Sequence, residues 1–152
     1  MRIYFATPFT NIAKPDKNSK YGWVPGDYIN WVKNIVEKLE SLGYKVFCPY
    51  RDTHNWGKFF PDLKELCREQ YNKITKETDC LIAYLGEPQS AGVAIEIGYA
   101  ISHKIPAIII KKPEEKITLL AHGLDSISSC KIIEFENDED LIQKLKQTLS
   151  KF

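Results

Sequence analysis

Two uninterrupted apolar runs constrain this chain most: Cys80-Leu81-Ile82-Ala83-Tyr84-Leu85 and Ile105-Pro106-Ala107-Ile108-Ile109-Ile110. A strand apolar at nearly every position has both faces covered, which is the situation of a parallel strand between two layers of helices. Three further runs fit the same sheet. Arg2 to Ala6 is β-branched and aromatic and is ended by Thr7-Pro8, Tyr44 to Cys48 is ended by Pro49, and Cys130 to Phe135 comes last. Between them lie helical patterns. Tyr28, Val32, Ile35, Val36, Leu39 and Leu42 recur at spacings of three and four, predicting a helix capped by Asp27 and stopped by Gly43. A second helix is predicted from Pro61 and Asp62 to about Glu77. Leu63, Leu66, Cys67, Tyr71 and Ile74 lie on one of its faces, so Tyr71 is expected to point inward. A third runs from about Val93 to Ser102, and a short helical piece lies near Thr118 to His122. The last starts among Asn137 to Asp140, with Lys144, Lys146 and Lys151 complementing its dipole. Thr7 to Tyr28 and Tyr50 to Phe60 read as polar loops.

This βαβα alternation predicts an α/β fold: a single doubly wound, flavodoxin-like or Rossmann-like domain over residues 1–152 with a five-stranded parallel sheet. Ligands of such sheets bind at the carboxyl ends of the strands, where the loops at 7–28, 50–60 and 86–92 are rich in polar groups. Lys plus Arg number 21 against 20 Asp plus Glu, so the whole-chain charge gives no reason to expect a nucleic acid or anionic membrane as partner. No apolar run approaches the about 20 residues of a membrane span, and no secretory signal is read at the start. The four cysteines form no CxxC pair and the three histidines are scattered, so no metal site is expected. Reduced, buried thiols at Cys80 and Cys130 imply a cytoplasmic location, and catalytic cysteine chemistry is not expected.

The segment most suited to chemistry is Gly86-Glu87-Pro88-Gln89-Ser90-Ala91-Gly92-Val93-Ala94-Ile95-Glu96-Ile97-Gly98-Tyr99-Ala100, which follows the third strand and opens a helix. Gly92 allows a tight turn, the free N–H groups of the next turn favour an anion, and Ser90 sets a hydroxyl at the mouth of that site. Glu96 falls about one turn into the helix between Ile95 and Ile97. A glutamate there is also simply favoured by the helix dipole, and pattern alone leaves both readings open.

Asp79-Cys80-Leu81-Ile82-Ala83-Tyr84, Ser90-Ala91-Gly92 and Glu96-Ile97-Gly98-Tyr99-Ala100 together resemble the signature of the nucleoside 2-deoxyribosyltransferase family, which includes the 2'-deoxynucleoside 5'-phosphate N-hydrolases. Ile3-Tyr4-Phe5-Ala6 resembles the family's first strand with its tyrosine, and the match continues through Thr118-Leu119-Leu120-Ala121-His122-Gly123. The resemblance implies cleavage of an N-glycosidic bond without a cofactor. The glutamate matching Glu96 attacks the anomeric carbon, the tyrosine matching Tyr4 orients it, and the positive end of its helix helps keep it ionised. The position six before the glutamate is an aspartate in the transferases and here is Ser90, as in the phosphate-accepting hydrolases. Thr118 likewise offers a hydroxyl where transferases carry asparagine. Hydroxyls and helix-start N–H groups accept a phosphate that a carboxylate would repel. The implied substrate is therefore a nucleoside 5'-monophosphate, 2'-deoxy by resemblance. The residue matching Thr118 reaches in from a neighbouring subunit, which implies a homodimer with shared active sites. As residues alone, Ser90 also reads as a turn residue and Thr118 as an N-cap.

Two departures stand out. The family's second acid, which serves the leaving base, falls at Tyr71, and the first-strand glycine is replaced by Thr7-Pro8. Tyr71 reads either as core filling or as a hydrogen-bond donor to the base, with Glu69 or Asp52 as substitute acids. Aromatics at Phe9, Tyr21, Trp23, Tyr28, Trp56, Phe59 and Phe60 offer stacking surfaces for a nucleobase, and Lys14, Lys17, Lys20 and Arg51 offer charges for a phosphate. The alternatives are a transferase exchanging bases on free deoxynucleosides and a non-catalytic nucleotide-binding or sensing protein.

Overall fold

The computed structural model describes residues 1–9, 12–17 and 19–152, without the side chains at positions 16, 19–21 and 23. In chain order the elements are β1 (Arg2–Ala6), β2 (Lys14–Asp16), β3 (Ser19–Trp23), α1 (Gly26–Ser41), β4 (Lys45–Phe47), α2 (Pro49–Asp52), α3 (Leu63–Glu77), β5 (Cys80–Tyr84), α4 (Ala91–Ser102), β6 (Ala107–Lys111), a 3₁₀ segment (Leu119–Ser126), β7 (Cys130–Glu134) and α5 (Asp138–Leu149). Five strands form one sheet in the order β4-β1-β5-β6-β7, every neighbouring pair parallel. This is the expected doubly wound sheet. The chain reverses direction across the sheet at β1, so the loop after β1 and the loop after β5 open side by side at the carboxyl edge.

The period-two alternation of each strand explains why the runs are apolar throughout. Ile3 and Phe5, Cys80, Ile82 and Tyr84, and Ile108 and Ile110 point to one face. There they meet Val32, Ile35, Val36 and Leu39 of α1 and Leu141, Leu145 and Leu149 of α5. Tyr4 and Ala6, Leu81 and Ala83, and Ala107 and Ile109 point to the other, against Ile74 of α3 and Val93, Ile97 and Ala100 of α4. Each fully buried aliphatic side chain contributes about 1.5–3 kcal/mol. Tyr4 is the one tyrosine of β1, and this alternation aims it at the α4 layer.

Several local expectations are corrected. Pro25, not Asp27, occupies the N-cap position of α1, with no side-chain cap, and Asp27 sits in the first turn where the dipole favours it. Gly43, with φ +88°, ends that helix as expected. The loop at 7–28 contains the antiparallel β2–β3 hairpin. The loop at 50–60 begins with α2, which the Asp52 carboxylate pins by accepting the Cys48 N–H at 2.8 Å. Asp62 caps α3 by accepting the N–H groups of Lys64 at 2.9 Å and Glu65 at 3.3 Å.

The largest correction is the rotation of α3. Leu63, Cys67 and Tyr71 are exposed, and Ile74 alone is fully buried. Of the expected inward face Leu66 and Ile74 do turn inward, joined by Gln70, while Leu63, Cys67 and Tyr71 do not.

Candidate active site

The loop after β1 is held by the Tyr28 hydroxyl, which donates to the Pro8 carbonyl at 2.7 Å. It forms one wall of a cleft of about 300 Å³. Thr7 and Phe9 come from this loop, Pro49 from α2, Leu66 and Gln70 from α3, and Ser90 to Val93 with Glu96 from the start of α4. The volume sits at the small end of the range for small-molecule sites.

Glu96 is buried, and the Tyr4 phenol donates to its Oε1 at 2.6 Å. Its Oε2 has no hydrogen-bond partner among the described residues. Burial raises the carboxyl from 4.5 to about 7, against the opposing pull of the Tyr4 hydrogen bond. The help toward ionisation expected from the helix start is thus opposed by burial. The same burial, with the carboxylate beside it, lifts the Tyr4 phenol well above its ordinary value, so the phenol stays a donor. The pair offers one fixed oxygen and one free oxygen, facing a small cleft at the carboxyl edge of the sheet.

Ser90 is the N-cap of α4, its Oγ accepting the Val93 N–H at 3.4 Å. Ala91 and Gly92 open the helix, and the first N–H groups of a helix have no partner within it. An anion at this end of the cleft would meet those N–H groups together with the Ser90 hydroxyl.

Two predicted residues lie elsewhere. Tyr71 is 38% exposed on the outer side of α3. Its ring packs edge-on against Tyr99 at 5.1 Å, and its hydroxyl lies 3.3 Å from His103 Nε2. It lines no part of the Glu96 cleft. Thr118 is exposed and occupies the N-cap position of the 3₁₀ segment, as its N-cap reading expects, though its hydroxyl makes no cap hydrogen bond. It borders a separate apolar groove of about 470 Å³ between α4 and the 3₁₀ segment, with Ala94, Ile97, Gly98, Ile101 and Leu120.

The proposed helpers sort in the same way. Asp52 is committed to capping α2 and to Arg51 at 2.8 Å. Glu69 accepts from the Thr53 hydroxyl at 3.0 Å and does not line the cleft. Arg51 is held by Glu40 at 2.8 Å and by the Val46 carbonyl at 2.6 Å, so it is not poised for a phosphate. Asp79 pairs with Arg2 at 2.6 Å at the amino ends of β1 and β5, the opposite edge of the sheet. Among the loop aromatics, Phe9 reaches the cleft, backed by Tyr50 stacked at 5.5 Å and the His54 ring at 4.8 Å. His54 is fully buried, its Nε2 without a partner among the described residues, and burial lowers its pKa, which favours the neutral ring. Cys48, Cys80 and Cys130 are buried free thiols, with burial pushing Cys48 up to about 11 and Cys80 up to about 12. The side chains of Lys20, Tyr21 and Trp23 lie outside the described residues. Sequence reasoning set Leu66 on the inward face of α3 without giving it to the site, and missed Gln70. Their signal was the four-residue spacing from 66 through 70 to 74.

No protein-family model and no curated protein matches the chain. Solved structures match over nearly its whole length. The Clostridium botulinum CMP N-glycosidase BcmB is 22% identical, with a TM-score of 0.67 over 96% of this chain and 99% of that one. The solution structure of BlsM is 20% identical, with a TM-score of 0.77 over 98% of this chain and 91% of that one. A 2-deoxyribosyltransferase from Bacillus psychrosaccharolyticus is 18% identical, with a TM-score of 0.63 over 93% of this chain and 90% of that one. The chain has the α/β fold of these proteins. No described helix is long and apolar enough to cross a membrane.

Proposed function

We propose that the chain hydrolyses the N-glycosidic bond of a nucleoside 5'-monophosphate, 2'-deoxy in the first instance, to a free base and a sugar 5-phosphate. The observation that carries this reading is the buried Tyr4–Glu96 pair, with its second carboxylate oxygen free at the cleft. That Oε2 attacks the anomeric carbon as the bond to the base nitrogen breaks. Water then attacks the same carbon and returns the electron pair to Glu96. The phenol of Tyr4 holds Oε1 and so fixes the direction of attack. The Ser90 hydroxyl and the N–H groups of Ala91 and Gly92 take the phosphate, where an aspartate at position 90 would repel it. Phe9 offers a flat face for the base.

Similarity to a CMP N-glycosidase and to a 2-deoxyribosyltransferase supports glycosyl-bond chemistry of this class. We place Thr118 in a partner's cleft within a homodimer. It lines a groove separate from its own Glu96 cleft, beside an apolar surface on which Leu119 is 87% and Leu120 82% exposed.

The test is chromatographic: free-base release from deoxy- and ribonucleoside monophosphates and from their nucleosides, by wild type and Glu96→Gln. Release from monophosphates, abolished in the variant while nucleotide binding persists, is expected. Adding a second base separates transfer from hydrolysis, since a transferase would form the new nucleoside. Binding without release by wild type would instead make the protein a nucleotide sensor.

A further inference from the structure

Cleaving an N-glycosidic bond leaves the electron pair on the base, and something must stabilise it there. Among the described residues lining the cleft, the only ionisable side chain is Glu96 itself. Glu96 is consumed as the nucleophile, and Tyr4 holds its proton on Oε1. Glu69 and Asp52 are bound elsewhere, and Tyr71 faces outward. The remaining polar group on the α3 wall is the carboxamide of Gln70. It is half-buried and lines the cleft, with no hydrogen bond to any described residue. An amide N–H can stabilise negative charge on a base acceptor but cannot transfer a proton.

Resting on the hydrolase reading above, we propose that Gln70 is the base-recognition residue and that the base leaves as an anion held by its N–H, with no general acid. Glu96 Oε2 bonds to the anomeric carbon as the bond to the base breaks, and the base nitrogen keeps the pair. The base anion then takes a proton from the incoming water, whose oxygen bonds to the anomeric carbon as the bond to Glu96 breaks. The sum is nucleotide plus water giving neutral base and sugar phosphate. Substrate choice then follows leaving-base acidity: bases whose ring N–H is most acidic are released fastest.

The experiment measures kcat/KM for base release from monophosphates of whichever ring class wild type accepts, graded by one ring substituent (fluoro, hydrogen, methyl). Kcat/KM is the right readout because it reports the first irreversible step. Wild type is expected to rise steeply from methyl to fluoro. Gln70→Leu, of similar volume, is expected to lose about 10- to 100-fold. Gln70→Glu, which supplies a proton, is expected to flatten the series and to add a falling limb at high pH. A flat series in wild type overturns the proposal while base release itself upholds the hydrolase reading. Gln70→Leu as active as wild type does the same. No release from any nucleotide overturns the hydrolase reading and this proposal with it. The wild-type series needs no variant, so a misfolded substitution cannot rescue the idea.

Discussion

The buried carboxyl of Glu96 makes a thermodynamic prediction that needs no substrate. In the folded chain its pKa is raised from 4.5 to about 7 by burial. In the unfolded chain it returns to the ordinary carboxylate value. Between those two pH values the folded state binds the proton that the unfolded state has released. Stability therefore falls as pH rises through this window. The contribution is fully present below about 4.5 and lost above about 7. At about 1.4 kcal/mol per pH unit, that interval of about 2.5 units corresponds to a loss of about 3 kcal/mol. Glu96→Gln keeps the shape and an oxygen for Tyr4 to donate to, but does not titrate. Denaturant unfolding of both proteins at half-unit steps from pH 4.5 to 8.5 gives a difference curve in which every other titrating group cancels. Wild type should lose about 3 kcal/mol relative to the variant across the window and then run level. Parallel curves would show that Glu96 is solvated like a surface carboxylate, and the argument from its burial would fall.

Tyr4→Phe removes the hydrogen bond that opposes the upward shift of Glu96, so the rising limb of kcat/KM against pH should move up by about one to two pH units. An unmoved limb, with activity merely reduced, would mean that Tyr4 does not act through the carboxyl. Leu120→Glu places a charge on the exposed apolar surface beside the α4 groove. Sedimentation is then expected to show a dimer for wild type and a monomer for the variant, with base release falling on dissociation if Thr118 serves a partner's cleft. A monomeric wild type would refute the shared site.

The sheet was legible because its strands are buried on both faces, and burial on both faces writes itself as uninterrupted apolar runs. Helix stops were legible where backbone geometry demands a residue type, as at Gly43. The β2–β3 hairpin and the α2 turn were not. They lie within the chain's polar and aromatic loops, where neither a period of two nor one of 3.6 is sustained. At the site, Ser90 and Glu96 could be read because a strand end followed by a helix start fixes their neighbourhood. What the pattern could not say is which face of β1 meets α4. The pairing of Tyr4 with Glu96, 92 positions apart, follows from the family resemblance and the tertiary structure, not from the pattern.

The misreading of α3 has a physical cause and a consequence that can be tested. Two stripes run along this helix, 63–67–71 and 66–70–74, and the first contains no strongly polar residue while the second is interrupted by Gln70. A rule that turns apolar residues inward takes the whole first stripe together with Leu66 and Ile74 of the second, and passes over Gln70. A helix that forms the wall of a polar cleft breaks that rule, because the inward stripe must carry the cleft's own polar group. Tyr71, which that rule turns inward, is exposed instead. Its observed neighbours, Tyr99 and His103, make it a surface contact between α3 and α4. Tyr71→Ala should therefore cost about 1 kcal/mol of stability, the worth of an edge-to-face aromatic pair. The kcat/KM for base release should be unchanged below the unfolding temperature. A loss of activity beyond about tenfold, with the folded fraction intact by circular dichroism, would place Tyr71 in the reaction and return α3 to the orientation its apolar pattern first implied.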